Sequence, residues 1–352
     1  MDERARQLSA IAARLLEVPA VELTALNGGA NAAVFKVTAD DQTAVLKAYP
    51  KITGDGRDRR RTEWQALQFL VDAGVTAVPH PLVTDEVSNL SLLTWCAGGP
   101  VTVVTDDHID KAADFIARLA TLRTRPAAVA LSAASEACLS AAALADQITN
   151  RHERLRREGV NHADFHHFLS DRLAPEIERA LAAAEHAYGS RKWSFTASLA
   201  PPTRSLSPSD FGFHNALLEA DGRLTFVDFE YFGWDDPVKI AADVMLHPGM
   251  GLSADHGRRF ADRLTAVFGE ADGPDPDFAD RLAILRPLYA LRWTLIILNE
   301  FLPDQWRRRR NAGVREAHAT VLARQLGKAQ AMLAKARSDH LPAFRRAAKT
   351  AP

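Results

Sequence analysis

The sequence is poor in cysteine and has no excess of charge, and each lack excludes a class of protein. Its 352 residues include only two cysteines, Cys96 and Cys138. Two cysteines do not make the disulfide scaffold of a small secreted domain or a zinc site. The formal net charge is −1, which gives no basis for nucleic-acid or membrane binding across the whole surface.

Long apolar runs are also missing. The most apolar later stretch, around residues 295–298, is too short to span a bilayer. The first residues, MDERARQLSAIAARLLEV, are charged and lack the apolar centre of a signal peptide. With 47% hydrophobic and 25% charged residues, the composition is that of a globular protein, which we expect in a reducing cytoplasm.

The first hundred residues predict a small antiparallel sheet. An amphipathic helix over residues 2–17 precedes three strands within 21–50, and two more strands follow within 78–101. A helix lies between them, after a run of arginines from Arg57 to Arg61 that we expect to be a solvated loop. Beyond Gly98-Gly99-Pro100 the pattern becomes mostly helical. We therefore predict an N-terminal lobe of residues 1–97 and a helical lobe of residues 98–352.

Lys47 is a lone cation in an otherwise apolar strand. The alternation in TAVLKAYP places Val45, Lys47 and Tyr49 on one face. A buried cation is costly unless it meets an anion. Glu63 is a candidate partner, although a glutamate at a helix start also commonly complements the helix dipole. The Asn-Gly-Gly-Ala-Asn turn at 27–31 suits either close approach to a phosphate or an ordinary hairpin turn.

The stretch Leu206–Asp243 carries the strongest pattern of a functional site. An Asp-Gly dipeptide at 221–222 joins two apolar runs, and it favours a two-residue hairpin turn. With that turn, Asn215 lies directly opposite Asp228, with Cβ atoms about 5 Å apart. An amide oxygen and a carboxylate held in this way can bind one hard cation such as Mg²⁺. Asp210, in the loop before the first strand, is then placed to face a substrate.

Several motifs together resemble the aminoglycoside phosphotransferase and choline kinase-like family. SDFGFHN is similar to its catalytic loop, VDFEYFGWDDP to its metal-binding segment and AVLKAY to its lysine strand. NGGANAAVFKV is similar to its phosphate-covering hairpin and LSLLTWCAGG to its hinge strand. The resemblance implies an α+β, protein-kinase-like two-lobed fold, with a small antiparallel β-sheet N-lobe and a mostly helical C-lobe.

The resemblance also implies a function, an ATP-dependent phosphotransferase that acts on a hydroxyl of a sugar, an amino alcohol or an aminoglycoside-like small molecule. Asp210 would be the catalytic base, while Asn215 and Asp228 would hold Mg²⁺. The residues implied in nucleotide binding are Gly28, Gly29, Lys47, Glu63, Thr94, Trp95 and Cys96. The expected partner is thus a small hydroxyl acceptor, with no nucleic acid and no membrane.

One departure from the family pattern keeps a second function open. The family usually has a histidine two residues before the catalytic aspartate, and here that position is Pro208. The alternative is therefore a catalytically impaired pseudokinase that binds a nucleotide without turnover. The joint presence of Lys47, Asp210, Asn215 and Asp228 favours an active enzyme.

Overall fold

The computed structural model describes residues 3–26, 32–40, 42–50, 56–311 and 314–338. The chain divides into two compact units of mutually packed residues. The first unit comprises Met1–Ser135 and Leu206–Trp234, and the second comprises Glu136–Ser205 and Asp235–Pro352. Compact units do not have to coincide with lobes, so the lobe boundary after residue 97 remains a prediction.

A five-stranded antiparallel sheet forms the first part of the first unit. Its strands are β1 (Glu22–Ala25), β2 (Ala33–Ala39), β3 (Gln42–Ala48), β4 (Pro81–Asp85) and β5 (Leu90–Thr94), in the spatial order β1-β2-β3-β5-β4. Helix α1 (Glu3–Leu16) precedes the sheet, and α2 (Arg59–Asp72) lies between β3 and β4 in the chain. The sheet predicted for the first hundred residues is confirmed.

Apolar side chains of α1 and the sheet form one core. Leu8 and Ala12 of α1 pack in one cluster with Val37, Leu46 and Leu90 of the strands, and all five are buried. Full burial of one leucine or valine side chain stabilises a fold by roughly 1.5–3 kcal/mol. Strand β3, which carries Lys47, is therefore fixed in the middle of the sheet by its apolar neighbours.

Short strands and one long helix follow the five-stranded sheet in the chain; Ser205 and Asp235, at the ends of two of these strands, belong to the second unit. The strands are β6 (Gly98–Pro100), β7 (Ser205–Ser207), β8 (Ala216–Glu219), β9 (Leu224–Phe226) and β10 (Gly233–Asp235). One small sheet has the order β6-β8-β9, and β7 pairs with β10. Helix α3 (Asp106–Leu122) begins with a capping box, in which Thr105 and His108 each accept a hydrogen bond from the other's backbone N–H.

The second unit is helical. Its helices are α4 (Ala141–Glu158), α5 (Ala163–His167), α6 (Ala174–Ser190), α7 (Pro237–Leu246), α8 (Ala254–Phe268), α9 (Phe278–Ile297), α10 (Pro303–Asn311) and α11 (His318–Ser338). A π-helical segment, Phe168–Leu173, joins α5 to α6. Helix α9 is central, because it packs against α4, α7 and α11. Asp236 caps α7 by accepting a hydrogen bond from the Val238 N–H, with Pro237 as the first helical residue.

Helix α9 is also the apolar segment of the chain. Together with the 3-10 turn that follows it, Phe278–Phe301 is long and apolar enough to cross a membrane by length and composition. The expectation that the apolar run around residues 295–298 is too short is therefore wrong, because that run continues a longer apolar helix. However, 67% of its most apolar window is buried inside the fold. The core helix of a globular protein has the same length and composition, so this segment gives only weak grounds for a membrane span.

The chain after β9 is held by close backbone contact with residues 132–134. The Trp234 N–H donates to Ser132 O at 3.0 Å, and Trp234 O accepts from the Ala134 N–H at 2.9 Å. Gly233 lies inside this contact. A Cβ atom at this position would lie only 2.3 Å from Ser132 O and 2.5 Å from Ala134 N. Only glycine therefore allows the two backbone segments to approach each other so closely.

We predict that Gly233→Ala destabilises the protein. Backbone atoms have to move to admit the methyl group, so the free energy of unfolding should fall by about 1–3 kcal/mol or more. Urea denaturation followed by circular dichroism measures the loss. Gly99→Ala is the matched control, because a Cβ at Gly99 meets nothing within 4 Å. Equal stability of the two variants would contradict the prediction.

Candidate active site

The hairpin of β8 and β9 is present, but its register differs from the prediction by one residue. The paired residues are Ala216 with Phe226, Leu217 with Thr225 and Leu218 with Leu224. The Val227 N–H donates to Asn215 O at 2.9 Å, so Asn215 lies opposite Val227. The predicted pairing of Asn215 with Asp228 is therefore wrong.

The loop of the hairpin explains the shift. Gly222 has a φ of +84° and its N–H donates to Glu219 O at 2.9 Å. The Asp221 carboxylate accepts from the Arg223 N–H at 3.0 Å. A turn closed by a left-handed glycine is the usual three-residue connection, whereas the two-residue turn was expected. An Asp-Gly dipeptide suits both, so the sequence alone did not select between them.

Asp228 lies beyond the last pair of β9 and has an unusual backbone. Its φ is +70°, in the left-handed region that non-glycine residues avoid. Such a conformation costs of order 1–3 kcal/mol and persists where other contacts hold it, commonly at functional sites. Here the Asp228 carboxylate meets the ammonium of Lys47, with Oδ1 and Nζ 2.7 Å apart. The Lys47 contact, rather than the strand ladder, accounts for its position.

Lys47 lies on β3 between two carboxylates. Its Nζ is 2.6 Å from Glu63 Oε2 as well as 2.7 Å from Asp228 Oδ1, and its side chain is only 9% exposed. Burial alone lowers the pKa of Lys47, but the charges of Glu63 and Asp228 outweigh it and hold that pKa well above the ordinary value. Lys47 is therefore a permanent buried cation, and the predicted pair with Glu63 is confirmed.

Glu63 connects three parts of the first unit. Its Oε2 accepts hydrogen bonds from Lys47 and from the Tyr49 hydroxyl, and its Oε1 accepts from the Phe229 N–H at 3.1 Å. Strand β3, helix α2 and the segment after β9 thus share one carboxylate. The sequence did not predict the Tyr49 contact, although the alternation that places Tyr49 beside Lys47 was the signal for it.

A second buried ion pair lies next to the first. Arg59 Nη1 is 3.1 Å from Glu230 Oε1, and the two side chains are 8% and 1% exposed. The guanidinium lies 5.0 Å from the centre of the Tyr231 ring. The expectation of a solvated arginine loop is therefore wrong for Arg59, and also for Arg60, which is buried. The reason is that α2 begins at Arg59, which places this residue one turn before Glu63 on the same helix face.

In the cluster around Lys47, the acidic side chains outnumber the basic side chains that pair with them. Oxygen atoms of Glu63, Asp228 and Glu230 lie within 4.8 Å of one another, and among the described residues Lys47 and Arg59 are the cations paired with them. Burial, and then the charge of Asp228, raise the pKa of Glu230 to about 7. An excess of carboxylate oxygens fits a hard divalent cation such as Mg²⁺.

The loop before β8 carries Asp210 and Asn215. The Asn215 side-chain N–H donates to Asp210 O at 2.9 Å, which engages the amide nitrogen and not the amide oxygen of Asn215. That oxygen is a suitable ligand for a hard cation. His214, within the same loop, has its Nε2 3.0 Å from Asp210 Oδ1. The sequence did not predict this last contact.

Serine side chains hold the loop around Pro208. Ser207 Oγ accepts from the Ser209 N–H at 2.9 Å, and Ser209 Oγ donates to Ser135 O at 2.9 Å. The Asp210 N–H closes a tight turn by donating to Pro208 O at 2.9 Å. Ser209 has a φ of +66°, a second left-handed residue next to the candidate base. The loop is therefore ordered by its own hydrogen bonds with proline at position 208.

Aromatic rings support the same loop from within the unit. Phe211 stacks on Phe115 of α3 with ring centres 5.6 Å apart, and it lies 4.8 Å from Phe226 of β9. Phe115 also contacts Phe226 at 4.6 Å and Phe229 at 6.3 Å. Because Phe211 and Phe229 each follow a candidate site aspartate, this cluster fixes the two segments relative to each other.

The remaining predicted nucleotide residues lie at the end of β5 and directly after it. The Thr94 N–H donates to His80 O at 2.9 Å, and the Thr94 hydroxyl accepts from the His80 N–H at 2.9 Å. Lys36 Nζ lies 5.0 Å from the centre of the Trp95 ring, and Cys96 is half-buried. Thr94 pairs with Ala44 of β3, the strand that carries Lys47. The other two predicted residues, Gly28 and Gly29, lie outside the described residues.

Comparison with known proteins gives a family and a fold. A sequence model of the phosphotransferase enzyme family matches residues 22–282 of the 352. The match includes every site residue named above. No curated protein matches the chain.

Solved structures of several kinases have the same fold. A choline kinase from Streptococcus pneumoniae gives a TM-score of 0.59 at 17% identity and covers 95% of this chain and 100% of its own. A spectinomycin phosphotransferase gives 0.58 at 11% identity, covering 92% and 98%. An ethanolamine kinase from Plasmodium vivax gives 0.56 at 13% identity, covering 91% and 84%. The predicted α+β, protein-kinase-like fold is confirmed.

We predict that Tyr49→Phe destabilises the protein because it removes a hydrogen bond to the buried Glu63 carboxylate. The expected fall in the free energy of unfolding is about 1.5–3 kcal/mol, the usual range for a hydrogen bond to a charged group. Urea denaturation of the purified variant measures it.

Tyr289→Phe is the matched control for this change. The Tyr289 hydroxyl is also buried, but it has no hydrogen-bond partner among the described residues. Removing an unpaired hydroxyl should leave stability unchanged or raise it. If Tyr49→Phe is as stable as Tyr289→Phe, the hydroxyl of Tyr49 does not hold Glu63.

Proposed function

Because the chain belongs to the phosphotransferase enzyme family, we propose that it transfers the γ-phosphate of ATP to a hydroxyl group of a small molecule. The resemblance found in the sequence is confirmed at the level of the family. The observation that carries the proposal is the contact of Lys47 with both Glu63 and Asp228. In the proposed function, this contact would unite the cation that binds phosphate with a carboxylate that binds the metal.

Nucleotide use is supported by the solved relatives. The spectinomycin phosphotransferase structure contains ADP, and the pneumococcal choline kinase has also been solved with AMP. In this chain an ammonium group has three N–H donors, and Lys47 directs two of them to Glu63 and Asp228. The third would bind the α- and β-phosphates, while Thr94–Cys96 would receive the adenine and Gly28 and Gly29 would cover the phosphates.

Asn215 and Asp228 would hold Mg²⁺, as the surplus of carboxylate oxygens around Asp228 supports. When bound, the ion neutralises charge on the phosphate oxygens, which is a main part of catalysis in phosphoryl transfer. The chain itself orients the two ligands. The amide nitrogen of Asn215 donates to Asp210 O, and the Asp228 carboxylate is paired with Lys47.

Asp210 would act as the base of the transfer. Its carboxylate accepts a hydrogen bond from the acceptor hydroxyl and directs the hydroxyl oxygen toward the γ-phosphorus. That oxygen forms a bond to phosphorus while the bond from phosphorus to the β,γ-bridging oxygen breaks. ADP leaves, and the hydroxyl proton passes to Asp210. Side-chain exposure of 41% leaves Asp210 accessible to a substrate.

The acceptor belongs to the class of small alcohols. The fold is shared with a choline kinase, an ethanolamine kinase and a spectinomycin phosphotransferase, so amino alcohols, sugars and aminoglycosides are the acceptors to test. A screen of ATP consumption in the presence of Mg²⁺ against these three classes identifies the acceptor.

We predict that Asp210→Asn and Asp228→Ala separate catalysis from nucleotide binding. Loss of the base should lower kcat by about 10²–10⁴-fold. Asp210→Asn should keep the rise in Tm that Mg-ATP causes in the wild type, because the nucleotide contacts remain. Asp228→Ala should lose that rise as well as turnover. Coupled ADP release and thermal denaturation are the two measurements.

The same measurements test the pseudokinase alternative suggested by Pro208. A pseudokinase would show a rise in Tm with Mg-ATP but no ADP release with any acceptor in the screen. A wild type that neither binds Mg-ATP nor consumes it would contradict both functions.

We predict that ATP protects Cys96 from alkylation. Both cysteines are free thiols, in keeping with the cytoplasmic location that we propose. Burial raises the pKa of Cys138 to about 12, and this residue is 1% exposed, so it should not react in the folded protein. Cys96 is half-buried and should react slowly with iodoacetamide at alkaline pH.

Intact-protein mass spectrometry measures the modification with and without Mg-ATP. If the adenine occupies Thr94–Cys96, Mg-ATP should slow the modification of Cys96 several-fold. Protein unfolded in urea is the control, in which both thiols should react. If saturating Mg-ATP leaves the rate of Cys96 modification unchanged, the proposed contact of adenine with Thr94–Cys96 is wrong.

A further inference from the structure

His214 contacts the carboxylate to which we assign the base role. Its Nε2 lies 3.0 Å from Asp210 Oδ1. An ionised carboxylate only accepts hydrogen bonds, so the imidazole N–H is the donor. The Asp210 side chain is 41% exposed and that of His214 is 22% exposed. Packing alone therefore does not fix the carboxylate, and a directional hydrogen bond acts on it.

The fold holds His214 from both sides. This residue lies in a 3-10 turn, Phe213–Asn215, in which the Asn215 N–H donates to Gly212 O at 3.0 Å. On one side, Phe213 is buried, with its ring centre 6.2 Å from that of His108. On the other, the Asn215 side chain donates to Asp210 O. The residues on both sides of His214 are therefore held, and its imidazole contacts the residue that begins the loop.

We infer that His214 is a positioning residue for phosphoryl transfer, which orients the Asp210 carboxylate by donating a hydrogen bond to Oδ1. This inference rests on the proposed function. An aspartate side chain has three staggered χ1 positions and a broad χ2. With Oδ1 held, the second carboxylate oxygen takes a defined direction and meets the acceptor hydroxyl in one geometry.

The size of the effect follows from geometry. A base has to lie within hydrogen-bond reach of the proton that it removes. Misplacement of a reacting group by 1 Å reduces a rate by up to about 100-fold. Loss of the His214 donor should therefore reduce kcat about 10- to 100-fold. Nucleotide binding should be unaffected, since the contacts of Lys47 with Glu63 and Asp228 do not involve His214.

Two variants separate the donor from the bulk of the side chain. His214→Leu removes the N–H while keeping much of the volume, and His214→Gln keeps an N–H donor that reaches a similar position. We expect His214→Leu to lower kcat about 10- to 100-fold with unchanged KM for ATP and an unchanged rise in Tm with Mg-ATP. His214→Gln should retain activity within about 3-fold of the wild type, as expected when the hydrogen bond is kept.

His186→Leu is the matched control, because His186 is an exposed histidine on α6 and its replacement should leave kcat unchanged. Wild-type activity in His214→Leu would overturn the inference. So would an equal fall in His214→Leu and His214→Gln together with a lower Tm, because the role would then be structural. If the wild type itself has no turnover, the proposed function fails instead.

A crystallographic measurement tests the inference without turnover. The Asp210 side chain should occupy one rotamer in the wild type and in His214→Gln, and several in His214→Leu. A single, unchanged Asp210 rotamer in His214→Leu would show that other contacts orient the carboxylate, and the inference would be wrong.

Discussion

A buried ammonium group between two carboxylates is the interaction on which the candidate site depends. Moving an ion from water into a protein costs several kcal/mol, and the cost is offset only by well-placed partners. Lys47 has two, Glu63 and Asp228, at 2.6 and 2.7 Å. Removing Glu63, the more deeply buried of the two, would leave the ammonium with only Asp228, whose side chain is 36% exposed. Strand β3, helix α2 and the segment after β9 are therefore constrained together.

The segment after β9 keeps a strained backbone because several contacts act on it at once. Asp228 has a φ of +70°, and its neighbours are held by Glu63, through the Phe229 N–H, and by Arg59, through Glu230. Further along, the close approach at Gly233 anchors the same segment. Each contact is local, but together they fix the direction of the Asp228 carboxylate. The fold itself therefore holds the Asp228 carboxylate in place.

Much of this site was predictable from particular residues. Lys47 interrupts an apolar strand, so a buried counter-ion was required, and Glu63 was the expected one. The Asp-Gly dipeptide predicted the hairpin, but it suits turns of two and of three residues, and the register was wrong by one. The burial of Arg59 was also missed. A run of arginines is typical of a solvated loop. Arg59 is buried because α2 begins there and Glu230, which is distant in the chain, lies beside it.

The fold class, the five-stranded sheet and the pair of Lys47 with Glu63 could all be predicted from the sequence. Hydrophobic periodicity and a lone charge in an apolar strand involve residues that are close together in the chain, so both can be recognised in the sequence. The orientation of each charged side chain depends on the tertiary structure. Strand register, left-handed residues and close backbone approaches all depend on partners that are distant in the chain. The tertiary structure joined Arg59 to Glu230 across 171 positions of the chain and Lys47 to Asp228 across 181. In the loop it brought His214 against Asp210, with the imidazole Nε2 3.0 Å from Oδ1.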